Sequence, residues 1–403
     1  MQRLLFAIIA VLAALLLAQE PHVQQADEFF LGWLLRNSQP TSAPVPLIVV
    51  ELAARSLAGN GDETGAAPPR ETSSTVSPLE FALFLQSMLE WNPTVLAMEP
   101  ILRWRASDRD QEQVFLDQAM RVPKLLLAAE LTSTPDPDVF PADIPGFVQV
   151  KGRRGDLPTF TGISRQPDED LRLISTLGFI NLPDETTNEI HVPLLFQYRG
   201  EIIPAYAFQA FLAWARIPLR EVKISLGEYI EMPRGWRIPI GTDGSIIVNP
   251  NAASLARHLS LSEVLLLAQQ KPRDPLLATI PGALVLARTP RNPLAPPDIF
   301  SAAIATMQSN RYVRRVSVIF DCVVLLLIVL LACLGARARR LDVVLGILAF
   351  TAAYCLASLT LLSRYELWLP GVVPLTTAWL LTAIALAWPR PVDETTPAHT
   401  ISS

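Results

Sequence analysis

Three apolar stretches near the C-terminal end constrain this chain more than any other feature. Each is long enough to cross a bilayer, since a spanning helix needs roughly 20 apolar residues. The first stretch contains one charge, Asp321, and the other two contain none. Helices at the surface of a soluble protein keep a polar stripe, and these stretches lack one. The sequence therefore predicts three membrane-spanning helices, at Val316–Ala336, Val343–Ser363 and Leu367–Pro389.

A fourth apolar stretch, Leu4–Ala18, opens the chain behind Arg3. Its length suits either the core of a signal peptide or a short spanning helix. The residues at Leu17–Glu20 match a cleavage site poorly, which favours an uncleaved anchor. We therefore divide the chain into an N-terminal anchor or signal (1–20), an exported domain (21–315), three spans (316–389) and a short cytoplasmic tail (390–403).

The orientation follows from the same four apolar stretches. If Met1 is inside, the segment 21–315 is exported and the C-terminal end returns to the cytoplasm. The arginines of Arg337–Arg340 then form a cytoplasmic loop, as the positive-inside tendency expects. The arginines of Arg311–Arg315 would lie outside, so the charges near the spans give no clear bias and do not fix the orientation by themselves.

Composition and motifs exclude several function classes. The three cysteines, Cys322, Cys333 and Cys355, all lie in the predicted spans, so the exported domain has no thiolate metal site and no cysteine nucleophile. The net charge of −5 argues against a nucleic-acid partner. The sequence contains no His-Glu-x-x-His, P-loop, Gly-x-Ser-x-Gly or Cys-x-x-Cys motif, and its four histidines are scattered. We therefore expect no enzyme activity, no metal site and no cofactor.

The exported domain shows the pattern of an α/β fold. Continuous apolar runs predict strands that are buried on both sides, and amphipathic segments between them predict covering helices. The expected architecture is a mostly parallel sheet with helices on both faces. The predicted strands are Leu47–Leu52, Thr94–Met98, Lys124–Ala129 and Ala283–Ala287, and the predicted helices include Pro78–Leu89, Asp108–Met120, Tyr206–Ala215, Val264–Gln269 and Asp298–Gln308.

Other segments of the domain carry weaker patterns. The proline-rich and glycine-rich segment Thr132–Asp170 predicts a long surface excursion. His191–Tyr198 reads as one strand. Asp243-Gly244 predicts a hairpin turn between strands at Arg237–Ile240 and Ser245–Val248.

The order of these parts resembles the CHASE2 family of bacterial extracytoplasmic sensory domains. That family has an N-terminal anchor, an exported α/β domain and three closely spaced C-terminal spans. The local matches lie along nearly the whole chain and are individually weak. They are Pro46–Leu57, Ala97–Leu102, Gly178–Asn181, Val192–Leu194, Gly200, Pro281–Ala287 and Pro296–Met307.

The resemblance implies a ligand-binding edge, but the chain departs from the family there. The acidic pair expected before Ser-Leu is replaced by Ala53 and Ala54, while Glu99 keeps an acid at the end of the second strand and Glu51 adds one nearby. The carboxyl ends of parallel strands are where ligands bind, and two carboxylates could hold a cation or a ligand amine. Alternatively, each acid caps a loop amide or pairs with Arg55 or Arg103.

Two further residues are candidate site residues. Trp104 lies between two arginines after the second strand, where it either stacks on a ligand or forms a solvated rim. Asp321 lies six residues into a predicted span, where a charge is expensive and usually has a partner. It either has a functional role, or it reaches the interface or pairs with Arg314 or Arg315.

CHASE2 domains usually feed a cytoplasmic output domain, whereas only Arg390–Ser403 follows the last predicted span. We therefore expect a sensor or regulatory subunit in the inner or plasma membrane of a bacterium, with its main domain extracytoplasmic. Its partner would be the membrane and another membrane or signalling protein, or a second copy of the chain. The alternative is a structural or assembly protein of the cell envelope that does not switch. The sequence does not identify a small-molecule ligand.

Overall fold

The computed structural model describes residues 16, 20–38, 43–52, 77–104, 109–134, 144–182, 190–269, 280–288, 298–335 and 340–387. Several sequence expectations fall outside these residues. They are most of the N-terminal apolar stretch, the substituted acidic pair, two arginines of the predicted cytoplasmic loop and the tail after the last span, at 4–15, 53–57, 337, 339 and 390–403.

The helices follow the predicted segments closely in the α/β region. Pro78–Trp91 begins with a capping box in which Ser77 and Glu80 bind each other's backbone N–H groups, as the sequence predicts. In chain order the helices are α1 Pro21–Asn37, α2 Pro78–Trp91, α3 Arg109–Ala119, α4 Glu169–Ile174, α5 Tyr206–Ala215, α6 Leu261–Gln269, α7 Ile299–Ser309, α8 Val318–Gly335, α9 Arg340–Tyr365 and α10 Val372–Ala387.

The strands are mostly short. In chain order they are β1 Leu47–Glu51, β2 Val95–Met98, β3 Leu125–Thr132, β4 Gln149–Lys151, β5 Thr159–Phe160, β6 Gly162–Arg165, β7 Thr176–Phe179, β8 His191–Pro193, β9 Leu195–Tyr198, β10 Glu201–Pro204, β11 Lys223–Ser225, β12 Tyr229–Glu231, β13 Arg237–Pro239, β14 Ser245–Ile247, β15 Arg257–Ser260, β16 Leu284–Arg288, β17 Arg314–Arg315 and β18 Leu367–Trp368.

The chain divides into two compact units. The α/β unit is Ser38–Val313, and the helical unit combines Met1–Asn37 with Arg314–Ser403. Helix α1 and strand β17 therefore belong with the C-terminal helices, whereas the sequence boundaries assigned them to the 21–315 domain. The α/β unit is inserted between two parts of the helical unit.

The four predicted buried strands lie in one sheet, as expected. Among the described residues, its strand order is β15-β1-β16-β2-β3-β6, and β7 also pairs with β3. Every pairing is parallel except that of β3 with β6. The edge strand β15, which precedes α6, had no clear signal in the sequence.

Both faces of this sheet are covered by helices, because alternate residues of each strand point to opposite sides. On one face, Val49, Ala97 and Leu286 pack in a core that includes residues of α5 and α7. On the other face, Val50 and Met98 pack in a core with residues of α2, α3 and α6. This two-sided burial explains why the strands read as continuous apolar runs.

Two residues, Gly178 in β7 and Asn181 just after it, determine how this edge of the sheet packs and pairs. A Cβ at Gly178 would lie 2.7 Å from Cδ2 of Tyr206, so only glycine lets α5 approach this strand. The Asn181 side chain binds both backbone groups of Leu131, accepting from its N–H at 2.8 Å and donating to its carbonyl at 2.9 Å. Asn181 therefore continues the pairing of β3 beyond the end of β7.

Two weaker sequence predictions were wrong, and a third missed three short strands. Asp243 and Gly244 form a turn, but β13 pairs with β12 and β14 pairs with β8, so they do not form a hairpin. The expected strand His191–Tyr198 divides at Leu194 into β8 and β9, which belong to different sheets. The expected excursion Thr132–Asp170 includes β4, β5 and β6, each of which pairs with a strand distant in sequence.

Among the described residues of the helical unit, one helix is long and apolar enough to cross a membrane, namely Arg340–Tyr365. Ile319–Ala332 and Val372–Ile384 are shorter apolar helices. The third predicted span begins later than expected, because Leu367 and Trp368 form strand β18 beside β17 and the helix starts at Val372.

Candidate functional site

Charged residues meet at the carboxyl edge of the parallel sheet. Glu51 ends β1, Arg288 ends β16, and Glu99 directly follows β2. Strand β16 lies between β1 and β2, so Arg288 is flanked by the two acidic positions. Alternation along each strand directs Glu51, Glu99 and Arg288 to the same face of the sheet, the one that α5 and α7 cover.

Arg288 is buried, with 8% of its surface exposed, and binds two carboxylates. Its Nη2 lies 2.5 Å from Oε1 of Glu51, and its Nη1 donates to Oδ1 of Asp298. Asp298 is the N-cap residue of α7, and its backbone has the left-handed φ of 69°. Two acceptors for one guanidinium offset part of the cost of burying the charge. The ion pairs therefore join strand β1, strand β16 and the start of α7.

Glu99 and Tyr206 lie together on the same face. Glu99 is 7% exposed, and Tyr206, at the start of α5, is fully buried. Burial, and then the negative charge of Glu99, raise the pKa of the Tyr206 phenol, which keeps it protonated. Among the described residues, no hydrogen-bond partner reaches the Tyr206 hydroxyl. This hydroxyl is a buried donor beside an acidic group.

Two kinds of charged ligand could compete for the ion pairs at this edge of the sheet. A ligand carboxylate or phosphate would compete with Glu51 and Asp298 for Arg288, and a ligand amine would compete with Arg288 for the acids. Among the described residues, no group of three or more His, Cys, Asp or Glu side chains is placed to hold a metal ion. Of the two arginines that the sequence suggested as partners for the acids, Arg55 lies outside the described residues, and Arg103 is not the partner found for Glu51. Within the described residues Glu51 pairs with Arg288.

Trp104 lies on the other face of the sheet. Its ring centroid is 5.0 Å from that of Phe115 and 6.1 Å from that of Phe81, within the core formed with α2 and α3. It is partly buried, and its Nε1 has no acceptor among the residues that the structure describes. The structure therefore brings Glu51 and Glu99 to one face and does not bring Trp104 to them.

The helical unit contains a second polar cluster, which includes Asp321. Its Oδ2 lies 3.5 Å from Nη2 of Arg315, one of the two partners that the sequence suggested. The Arg315 side chain also lies over the Trp368 ring, with 5.7 Å between Cζ and the ring centroid. Arg315 and Trp368 are register partners in β17 and β18, so this short pairing holds the arginine beside α8.

Asp27 completes this cluster, although the sequence analysis did not select it. It is 6% exposed, and its Oδ1 accepts hydrogen bonds from the backbone N–H groups of Gly371, at 2.9 Å, and Val372, at 2.8 Å. These are N–H groups that the start of α10 leaves without a partner within the helix. Burial raises the pKa of Asp27, while these two hydrogen bonds and the charge of Arg315 lower it, and the net shift is upward.

Two further contacts fix the start of α10. A Cβ on Gly371 would overlap the ring of Phe30, so only glycine allows α1 to approach this closely. The Tyr354 hydroxyl of α9 donates to the Pro370 carbonyl at 2.5 Å. Helices α1 and α9 thus both bind the segment that leads into α10.

The residues that the sequence analysis missed share one property, which is a charge beside an apolar run. Arg288 ends the buried strand Leu284–Arg288, Asp298 precedes the buried helix α7, and Asp27 precedes the apolar part of α1. Such charges need partners, but the sequence does not say which residues these are.

No protein-family model, no curated protein and no solved structure matches this chain.

Proposed function

We propose that this protein is a CHASE2-like integral membrane sensor or regulatory subunit, which controls a separate partner protein in the inner or plasma membrane of a bacterium. Its α/β unit would be extracytoplasmic, and helices α8, α9 and α10 would span the bilayer. The carboxyl edge of the sheet would be the sensing site.

The surface of the helical unit supports the membrane placement. Large apolar side chains on α8, α9 and α10, such as Leu326, Leu356 and Leu380, are mostly exposed. Exposure of so many apolar side chains to water would be costly, at roughly 1.5–3 kcal/mol each relative to burial. At 1.5 Å per residue the three helices are about 27, 39 and 24 Å long, against about 30 Å of hydrocarbon. The hydrocarbon of a bilayer would cover these apolar side chains without that cost.

The observation that carries the proposal is the course of α7. Asp298 is bound to Arg288 at the sheet edge and begins this helix, whose residues Ile299–Met307 are all buried. After Ser309, only residues 310–313 precede Arg314, the first residue of the C-terminal part of the helical unit. A ligand that took Arg288 from Asp298 would therefore act on the helix that leads into the membrane helices. The ligand would then favour whichever conformational state of the protein binds the ligand more tightly.

The exposed surface of α9 supports transmission of the signal to a partner by helix–helix contact within the membrane. Gly346, Ala349, Ala353 and Ala357 are exposed at spacings of three and four residues, so they lie along one side of the helix. Small residues allow another helix to approach closely within a bilayer. A partner helix could therefore contact α9 directly.

The test is purification of the tagged full chain from its native host in mild detergent, comparing wild type with Arg288→Gln and Arg288→Lys. Arg220→Gln is the control, because Arg220 is exposed on the same unit. We expect a second membrane protein, or a second copy, in stoichiometric amount with all four chains. The activity linked to that partner should change with both Arg288 variants and stay unchanged with Arg220→Gln.

Two outcomes would contradict the proposal. A monomer that purifies with no partner would leave no protein for this chain to control. A partner whose activity ignores both Arg288 variants, together with an envelope defect when the gene is deleted, would favour the structural or assembly role instead.

A further inference from the structure

Helix α1 exposes a pair of aromatic side chains. Phe29 is 81% exposed and Trp33 is 47% exposed. They are four residues apart and therefore lie on the same side of the helix. His22, Gln25 and Arg36 are exposed on this side as well. A helix face that combines aromatic and polar or basic groups is typical of the boundary between lipid and water.

The opposite side of α1 is bound within the helical unit. Asp27 accepts the two N–H groups at the start of α10, and Phe30 packs against Gly371. Leu31 and Leu34 are fully buried. The rings of Phe30 and Trp33 are stacked, with centroids 6.1 Å apart and an interplanar angle of 14°. The direction of Trp33 is therefore set by a ring that is itself held in place.

These contacts fix the depth of α1. Gly371 and Val372 lie at the end of the apolar helix α10, so a helix bound to them lies at that end as well. The same end holds Arg315 and Trp368, whose residue types favour the interface between lipid and water. The exposed aromatic pair therefore lies at the level where the apolar surface of the helical unit begins.

We propose that α1 is a lipid-anchoring helix, with Phe29 and Trp33 inserted into the headgroup region of the leaflet that holds the N-terminal end of α10. This inference rests on the proposed membrane placement of α8, α9 and α10. The ligand is the lipid surface itself, contacted by the aromatic rings and by the polar groups beside them. Because α1 ends at Asn37 and Ser38 begins the α/β unit, the anchor lies directly before the sensing domain.

The Ser38 end of this connection is also bound. Ser38 is buried, its hydroxyl accepts from Nδ2 of Asn249 at 3.1 Å, and its carbonyl accepts from Nδ2 of Asn251 at 2.7 Å. A helix held by lipid therefore passes at once into a residue held by the α/β unit. Changes in the lipid surface would reach that unit without passing through α8, α9 or α10.

The experiment uses the full chain in lipid nanodiscs, with its eight tryptophans replaced by 5-fluorotryptophan. Fluorine NMR then gives one resonance for each indole, and the variants Trp33→Phe, Trp379→Phe and Trp214→Phe assign three of them. Line broadening is compared between lipids that carry a nitroxide on the headgroup and lipids that carry it near the end of the acyl chain. A water-soluble gadolinium chelate provides a third measurement.

Trp379 and Trp214 are the internal controls. Trp379 lies in α10, about 10 Å beyond Val372 at 1.5 Å per residue, and should be broadened most by the acyl-chain label. Trp214 lies in the α/β unit and serves as the reference for an indole outside the helical unit. We expect Trp33 to be broadened at least threefold more by the headgroup label than Trp214 is.

Each other result decides against the proposal in a distinct way. If Trp379 is unaffected by the acyl-chain label, the membrane placement fails and the anchor fails with it. If Trp379 responds while Trp33 responds only to the chelate, the spans hold and α1 faces water. If Trp379 responds and no reagent broadens Trp33, another protein surface covers α1, and the lipid anchor is wrong.

Discussion

Arg288 and Glu51 are direct neighbours on adjacent parallel strands, and their side chains form an ion pair of 2.5 Å at the carboxyl edge of the sheet. The guanidinium is buried, whereas the Glu51 side chain is 41% exposed and that of Asp298 is 35% exposed. One buried cation thus serves two carboxylates that keep contact with solvent. Because of this difference, substituting either acid should cost less stability than substituting the arginine.

Arg288→Gln should therefore lower the free energy of unfolding of the α/β unit more than Glu51→Gln does. Loss of one partner of a fully buried ion pair costs roughly 3–5 kcal/mol, and we expect about 2 kcal/mol here because both acids are partly exposed. Glu51→Gln should cost less than about 1 kcal/mol, since Asp298 still binds Arg288. Chemical denaturation of the full chain in detergent, followed by tryptophan fluorescence, measures both. Equal losses would mean that Asp298 does not keep the Arg288 guanidinium paired when the Glu51 charge is removed.

Gly371→Ala should destabilise the helical unit, because the added Cβ overlaps the Phe30 ring. Overpacking of this kind typically costs about 1–3 kcal/mol. Phe30→Ala opens space at the same place, so the double variant should lose less stability than the sum of the two single variants. Thermal unfolding in detergent gives the comparison. Gly346→Ala is the matched control, because a Cβ at Gly346 meets nothing within 4 Å. Additive losses would show that Phe30 does not cause the constraint.

Asp27 should make the stability of the helical unit depend on pH. Folding raises its pKa, so the folded state holds this proton more tightly than the unfolded state does. The contribution of Asp27 to the free energy of unfolding should therefore fall as pH rises from about 3.9 through the raised pKa, and stay constant above it. Asp27→Asn keeps an acceptor for the α10 N–H groups and removes the titration. The difference between wild type and this variant should decline across that pH range; a difference independent of pH would contradict the shift.

Asp321→Asn should change the helical unit only modestly. The variant loses the charge that pairs with Arg315 at 3.5 Å, but the Arg315 side chain is 44% exposed, so we expect less than about 1 kcal/mol. Association with a partner is the more sensitive readout, because charges near a bilayer usually face a partner. Asp342→Asn, an exposed acid at the start of α9, serves as the control. If expression, thermal stability and co-purification all match wild type, Asp321 only reaches the interface.

Topology can be measured independently of any ligand. A reporter that is active only in the cytoplasm should be active when fused after Ser403 and silent when inserted near Gly155, which is exposed in the α/β unit. A reporter that is active only outside the cytoplasm should give the opposite pattern. If both insertions report the same side, the number of spans is wrong.

The sequence predicted the parts of the fold that depend on local patterns. Continuous apolar runs located β1, β2, β3 and β16, and the capping boxes at Ser77 and Ser260 located the starts of α2 and α6. The failures involve pairings between distant segments. The turn at Asp243-Gly244 was recognised, yet nothing local shows that its two flanking strands pair elsewhere.

The same limit applies to the site. Glu51 and Glu99 could be selected because each follows an apolar run, and alternation predicts the face on which they lie. Their common neighbour could not be selected in this way, because Arg288 is 237 positions from Glu51 in the chain. Trp104 was grouped with them because it is close to Glu99 in sequence, but it packs on the other face of the sheet.

The contact between Asp27 and Val372 joins residues 345 positions apart, and this separation sets an order of events during synthesis. At about 5–20 residues per second, a ribosome would need roughly 20–70 s after completing α1 to produce Val372. The α/β unit lies entirely between them and ends at Val313, so the complete unit has roughly 3–12 s to fold before Val372 is made. Until then the Asp27 carboxylate of α1 cannot accept the N–H groups at the start of α10, so the helical unit completes its contacts last. A ribosome stalled before Gly371 would therefore hold a chain whose α/β unit can already fold while α1 still lacks its contact with α10.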